Sequence, residues 1–119
     1  MTSPAVSSRD LPHPAREEIR IEGVLHALSD PMRLRIVREL AAVGEDLTCS
    51  HFDLPVTKST TTHHFRVLRE SGVIRQIYRG TAKMNGLRDD DLDDLFPGLL
   101  DALLDAAGRQ AARLGENGS

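Results

Sequence analysis

The sequence has few of the residues that build disulfides, membrane spans or aromatic cores. Cys49 is the one cysteine in 119 residues, so no intramolecular disulfide can form, which is typical of a reducing compartment. No run approaches the ~20 apolar residues that span a bilayer, and residues 1–14 lack the order of a signal peptide. Aromatic residues make up 3% of the chain, so aliphatic side chains must build the core, which favours packed helices. We therefore expect one small cytoplasmic domain with no membrane contact.

The charge is unevenly distributed. The whole chain carries −3, which argues against nucleic acid as a partner. Residues 57–83, however, contain six basic side chains and one acidic side chain, a net charge of +5. Residues 84–119 contain three basic and eight acidic side chains. Since DNA responds to the local field, the basic segment is a candidate DNA-binding region, although a solvated helix face would look the same.

Apolar spacing and capping residues predict two helices in the first half of the domain. The first covers residues 17–28, and the second runs from Pro31 to about Val43, with Asp30 as its N-cap and Gly44 as its stop. Residues 45–56 are expected to form one or two helical turns. We assign residues 1–15 to a disordered arm, residues 16–114 to the folded domain and residues 115–119 to a disordered tail.

The basic segment predicts a third helix followed by a hairpin. Thr57 can cap a helix that ends before Gly72 and buries Thr61, His64, Phe65 and Leu68 on one face. The periodicity then changes to that of a strand over residues 73–78, a turn at Arg79-Gly80 and a return strand over residues 81–84. A short acidic helix over residues 89–96 and a Leu-rich amphipathic helix complete the chain. The fold class is therefore mainly α with a small β-hairpin wing.

Two segments resemble the ArsR/SmtB family of bacterial transcriptional regulators. Residues 30–37, DPMRLRIV, are similar to the family's second-helix signature, and residues 58–74, KSTTTHHFRVLRESGVI, are similar to its recognition helix. The resemblance covers residues 20–87. It implies a winged helix-turn-helix that binds double-stranded DNA as a homodimer on a partly palindromic operator, with small effectors or a separate sensor protein changing its affinity.

Carried onto this sequence, the resemblance gives a DNA-binding set and a dimer interface. The helix after the turn enters the major groove and the hairpin contacts phosphates. The expected DNA contacts are Lys58, Ser59, Thr60, Thr62, His63, Arg66, Arg69, Arg75, Arg79 and Lys83. The expected dimer contacts on the first and last helices are Ile21, Val24, Leu25, Leu99, Leu100, Leu103, Leu104, Ala107 and Ala111.

The effector site is the point where the sequence departs from the family. Thr48 and Ser50 stand at the two positions where the family's Cys-x-Cys site has thiolates, so Cys49 is more simply a small core residue. A site across the dimer that uses nickel or zinc as a weak effector, with no cofactor required, would draw its ligands from the N-terminal arm, at His13 and Glu17, and from the last helix, at Asp101 and Asp105. The alternative is a loose arm beside solvated carboxylates.

The sequence also bears on other function classes. It contains no phosphate-binding glycine loop, no His-Glu-x-x-His motif and no catalytic triad in a credible context, so we do not expect an enzyme. The alternative to a DNA-binding regulator is a protein-interaction module of the same fold that uses the acidic, Leu-rich C-terminal region to hold a partner.

Overall fold

A computed structural model describes residues 11–116, which form five helices and a three-stranded sheet. The helices are α1 (Ile21–Leu28), α2 (Pro31–Val43), α3 (Lys58–Glu70), α4 (Asp89–Leu95) and α5 (Leu99–Leu114). The strands are β1 (Leu47–Thr48), β2 (Ile74–Arg79) and β3 (Ala82–Leu87), and 3₁₀ turns cover Arg16–Glu18 and Cys49–His51. The expected fold, mainly α with a hairpin wing, is therefore confirmed.

The segment before α3 differs from the sequence prediction. One or two helical turns are predicted within residues 45–56, and one 3₁₀ turn is present, but the segment also contains β1, which pairs antiparallel with β3, with Leu47 opposite Asn85 and Thr48 opposite Met84. The physical reason is the length of β3, which runs to Leu87 rather than ending near residue 84 and so offers a free edge to a third strand. The strand order is β1-β3-β2, and the 3₁₀ turn at Cys49–His51 follows directly.

The first helix also starts later than the spacing predicts. Helix α1 begins at Ile21 because Ile19 has an extended backbone and places its side chain in the core, where it is 7% exposed. Ile19 packs against Gly72, which ends α3 with φ +86°. The predicted bounds of α2, including the Asp30 cap and Gly44 stop, are confirmed.

The core lies where α1, α2 and α3 meet the base of the hairpin. Its fully buried side chains come from every one of these elements, and α4 and α5 close it from the C-terminal side. The most buried members are Val24, Ile36, Val37, Leu40, Phe65, Leu68, Val73, Ile74 and Leu92. Among the described residues, no helix is both long enough and apolar enough to cross a membrane.

Helix α5 is partly covered by the chain's own fold. Leu100 packs into the core at 8% exposure and Ala111 is 6% exposed. With Val24 of α1, at 2% exposure, these residues offer no surface to a second protein. The prediction that they contact a dimer partner therefore needs correction, because the intramolecular packing of α1 and α5 already buries them. Ile21 and Leu25 remain exposed, and Leu99, Leu103, Leu104 and Ala107 remain half-buried.

Candidate nucleic-acid interface

Helix α3 packs its inner face against the core and exposes its outer face to solvent. Thr57 begins the helix, and its side-chain oxygen accepts a hydrogen bond from the backbone N–H of Thr60 at 3.2 Å. Phe65 and Leu68 anchor the inner face at 1% and 0% exposure. His64 and Arg69 are buried on the flanks of this inner face, and the residues of the opposite face point outward.

The outer face of α3 carries the hydroxyl and basic side chains that sequence analysis assigned to DNA. Six predicted contacts are exposed there: Lys58, Ser59, Thr60, Thr62, His63 and Arg66. The Thr62 hydroxyl donates to the Lys58 carbonyl at 3.0 Å, which leaves its oxygen free to accept. A guanidinium nitrogen of Arg66 lies 3.4 Å from Nδ1 of His63, so these two side chains form one polar surface.

The hairpin supplies two further cations at its tip. Arg79 is exposed at the turn between β2 and β3, and Lys83 lies directly after the turn with its Nζ 5.7 Å from the centre of the Tyr78 ring. Lys83 also lines the same cavity as Lys58 and Arg66 of α3, so it lies on the α3 side of the hairpin. Lys83 therefore extends the basic surface of α3 onto the hairpin, while Arg79 lies at the tip on the strand face that Arg75 shares.

Arg75 lies on the other side of the hairpin. Successive strand residues point to opposite faces, and Arg75 points away from α3, with a guanidinium nitrogen 3.7 Å from Asp46. It lines a cavity with Asp46, Asp89 and Asp101, near α5. The strand alternation therefore places Arg75 among acidic side chains and apart from the predicted DNA contacts on α3, and its own contact with DNA stays a prediction.

Arg69 is likewise buried rather than presented to solvent. Its side chain is 7% exposed, Nη1 donates to Oε1 of Gln76 at 2.6 Å, and Nε donates to the carbonyl of Pro12 at 3.2 Å. The prediction of a phosphate contact at Arg69 is therefore corrected. The guanidinium instead ties the end of α3 to β2 and to the chain before α1.

A buried polar chain continues from Arg69 across the sheet, and sequence analysis did not identify it. Gln76 Nε2 donates to Oδ1 of Asn85 at 2.7 Å. Asn85 Nδ2 in turn donates to the carbonyl of Leu47 at 3.1 Å and lies 3.2 Å from the Cys49 sulfur. Gln76 and Asn85 are register partners in the hairpin. The sequence contains an amide side chain at each of these two positions, but the strand register must be known before the two can be recognised as neighbours.

His64 occupies a second buried polar cluster behind α3. The Arg33 guanidinium donates to Nδ1 of His64 at 3.1 Å and to the carbonyl of Ala27 at 2.8 Å. Asp30, the N-cap of α2, lies 3.9 Å from the same ring nitrogen. Burial lowers the pKa of His64, and the Arg33 charge lowers it further, so the neutral ring accepts from Arg33. His64 therefore packs inward as expected, and does not share a ligand with His63.

The predicted metal ligands are not brought together. Nδ1 of His13 donates to the Leu11 carbonyl at 2.8 Å, and Nε2 accepts from the backbone N–H of Gln76 at 2.9 Å, so neither ring nitrogen has a lone pair for a metal ion. Burial lowers the pKa of His13, which fits this neutral role. Glu17 pairs with Arg16 and Asp105 with Arg109, while Asp101 lines the separate Arg75 cavity. Within residues 11–116, no three His, Cys, Asp or Glu side chains are grouped to hold a metal ion.

Comparisons with known proteins agree with this geometry. The family model of a helix-turn-helix domain matches residues 28–77. The chain is 34% identical over 89 residues to the HTH-type transcriptional regulator YceK of Bacillus subtilis, across 73% of the chain and 88% of the relative. It is 28% identical over 78 residues to the arsenical resistance operon repressor of the same organism, across 65% of the chain and 74% of the relative.

Solved structures share the fold. An ArsR-like transcriptional regulator from Rhodococcus sp. RHA1 superposes with a TM-score of 0.55 at 24% identity, over 82% of this chain and 92% of that one. The transcriptional repressor BigR from Xylella fastidiosa gives 0.51 at 22% identity, over 64% and 85%. The relative that is 34% identical shows that the chain belongs to the HTH-type transcriptional regulators, a DNA-binding family, and its winged helix-turn-helix fold is that of the ArsR-like regulators.

Proposed function

We propose that the protein binds a partly palindromic operator as a homodimer, with α3 in the major groove and the wing tip on the phosphate backbone. The exposed surface of hydroxyl and basic side chains on α3, continued by the wing, is the observation that carries the proposal. Eight of the ten expected contacts belong to it: Lys58, Ser59, Thr60, Thr62, His63, Arg66, Arg79 and Lys83. Lysine and arginine neutralise phosphates, and the side chains at 62 and 63 read base edges.

The homodimer part of the proposal is supported by unpaired apolar surface on α1 and α5. Ile21 and Leu25 lie one helical turn apart on α1 and are 43% and 44% exposed, and Leu114 of α5 is 57% exposed. Apolar side chains at i and i+4 form one stripe, and covering this stripe with a second copy removes it from water. A palindromic operator requires the two recognition helices of such a symmetric pair to lie about 34 Å apart.

Selection of bound duplexes from a random DNA pool tests the proposal directly. We expect one recurrent half-site, present twice. Binding to the selected duplex should weaken with salt, and Arg66→Ala or Lys83→Ala should each reduce the slope of log K against log salt by about 0.9. Arg75→Ala is the matched control, because that side chain faces away from α3. Equal slopes for all three variants would contradict the assigned surface.

Base reading is tested at two positions. Thr62→Ala and His63→Ala should each reduce discrimination between operator and random DNA by about 1–3 kcal/mol. If both DNAs lose affinity equally, residues 62 and 63 are not base readers. No selected sequence and no salt dependence would favour the alternative, a protein-interaction module that uses the acidic C-terminal region.

The dimer is tested by light scattering during size-exclusion chromatography. Leu25→Glu places a charge in the proposed interface and should shift the protein to monomer. Val43→Glu is the control, because Val43 is similarly exposed at 41% but ends α2, outside the proposed surface. A dimer that persists in Leu25→Glu would refute this interface. Nickel or zinc as a weak effector at a site across the dimer stays a prediction, and metal binding through His13 would have to displace its hydrogen bond from the Gln76 backbone N–H.

A further inference from the structure

A cavity opens between α3, the wing and the segment that precedes α3. Its volume is about 570 Å³, which lies within the range of about 300–1,000 Å³ typical of small-molecule sites. One wall is the helix surface that carries Thr62 and Arg66, the second is the hairpin at Lys83, and the third is the chain from Cys49 to Val56. The cavity therefore adjoins the surface assigned to DNA.

The inner part of this cavity is apolar. Phe52, Leu54, Val56 and Phe65 line it, and the rings of Phe52 and Phe65 meet edge to face with centroids 5.4 Å apart. Val56 is 37% exposed, so a molecule in the cavity can contact its side chain. A DNA phosphate gains nothing from such a lining, because it stays hydrated or bonded to polar groups. Contact with DNA therefore does not account for the apolar part of the cavity.

The rim of the cavity is cationic. Lys58, Arg66 and Lys83 line it, and none of them forms an ion pair with a carboxylate of residues 11–116. Arg69 also lines the cavity, but its guanidinium is bonded to Gln76 and Pro12. Asp53 is the one acidic side chain among the lining residues. An apolar floor beneath a positive rim is complementary to a molecule with an apolar body and one negative group.

We propose that this cavity binds a small organic carboxylate with an aromatic or short aliphatic body, and that this ligand excludes DNA. The body packs against Phe52, Val56 and their neighbours, and the carboxylate lies among the rim cations. All three of those cations, Lys58, Arg66 and Lys83, belong to the proposed DNA surface. The ligand and a phosphate therefore compete for the same charges. The exclusion rests on the proposed DNA function, whereas the binding site does not.

Calorimetry on the protein without DNA tests the site itself. The probes are 2-naphthoate, the neutral 2-naphthalenemethanol and the cationic 2-naphthylmethylamine, which share one ring system and differ in charge. We expect 2-naphthoate to bind about tenfold or more tightly than the neutral probe, as charge-assisted hydrogen bonds imply, and the amine to bind most weakly. No heat from naphthoate at millimolar concentration, or equal affinity for all three probes, would overturn the proposal.

Variants at Val56 locate the binding. Val56→Asp adds a negative charge to the cavity wall, and Val56→Asn adds a side chain of nearly the same size without the charge. Repulsion from a nearby carboxylate should weaken naphthoate binding about tenfold in the aspartate variant relative to the asparagine variant. Val56 lies outside the buried core, so both variants should fold, and circular dichroism checks this. Equal affinity in the two variants would place the ligand elsewhere and refute the site.

Competition is measured with fluorescently labelled operator DNA. The apparent affinity for DNA should fall as naphthoate rises, and it should halve when the free probe equals its own dissociation constant, as competitive linkage requires. If naphthoate binds as expected but DNA affinity is unchanged, the exclusion is wrong. If naphthoate binds but the protein selects no DNA at any salt concentration, the proposed DNA function fails and the carboxylate site stands.

Discussion

The buried contact between Arg69 and Gln76 allows a quantitative test of how the wing is fixed to the recognition helix. Nη1 of Arg69 lies 2.6 Å from Oε1 of Gln76, and the two residues are 7% and 2% exposed. Gln76→Leu keeps the volume of the side chain but removes its amide. Arg69 Nη1 then has no acceptor, and Asn85 Oδ1 has no donor. Because unpaired buried polar groups cost about 1–3 kcal/mol each, and charged groups more, we expect a loss of about 2–5 kcal/mol.

A double-mutant cycle separates this contact from other effects of the substitutions. Arg69→Met retains an apolar chain of similar length and removes the charge. If Arg69 and Gln76 interact as the geometry shows, the double variant should be less destabilised than the sum of the single variants, by about 1.5–3 kcal/mol. Urea unfolding followed by circular dichroism, at one fixed protein concentration, gives the four free energies. Additivity within about 0.5 kcal/mol would refute the coupling.

The Arg69→Met variant also tests whether Arg69 is a buried structural residue or a phosphate contact. Arg69→Met should leave the salt slope of DNA binding unchanged, whereas Arg66→Ala should lower it by about 0.9. Overall affinity is a weaker test, since a displaced wing lowers it without any lost phosphate contact. If Arg69→Met lowers the slope as much as Arg66→Ala does, Arg69 contacts DNA and the structural interpretation is wrong.

Three further variants test local features of the fold. Burial holds the pKa of His13 below its unfolded value of about 6.5. The stability gained from the neutral ring is therefore complete above about pH 6.5 and is lost as pH falls through the folded pKa. Wild type should therefore lose more stability than His13→Gln between about pH 7.5 and 5.5, and parallel urea midpoints would contradict this. Thr57→Ala should cost about 1 kcal/mol through its lost N-cap bond, and Thr57→Ser should restore it in thermal unfolding. Gly72→Ala should cost more than the about 1–2 kcal/mol expected for Gly80→Ala, because both have positive φ but only the new Cβ at 72 meets Ile19, at 2.5 Å; equal losses would show that Ile19 yields freely.

The helices were the part of the fold most accessible from sequence. Asp30-Pro31 and Thr57 carry their capping chemistry locally, and Gly44 ends α2 where the apolar spacing stops. These signals act over one or two helical turns, so they need no knowledge of distant partners. By contrast, β1 requires the edge of β3, which lies 36 or more residues further along the chain. A two-residue strand has no periodicity of its own to predict it.

The sequence predicted the exposure of the outer face of α3 correctly, but it did not predict the surroundings of Arg69 and Arg75. Side chains on the outer face of a helix follow from the 3.6-residue period, so the exposure of Thr62, His63 and Arg66 could be expected. The sequence shows that Arg69 and Arg75 are cationic, but tertiary packing determines which groups surround each guanidinium. Gln76 happens to lie beneath Arg69, and Asp46 lies beside Arg75.

The sequence by itself determined the helix after the turn and its exposed face, because capping, helical period and local charge are properties of adjacent residues, and residues 30–37 and 58–74 carried the resemblance to the family. Tertiary structure alone decided which cations are free. It bonded the guanidinium of Arg69 to Gln76, turned Arg75 toward Asp46 and joined Phe52, Val56 and α3 around one cavity. These outcomes depend on groups far apart in the chain, and burial makes their pairing obligatory since an unpaired buried polar group is costly.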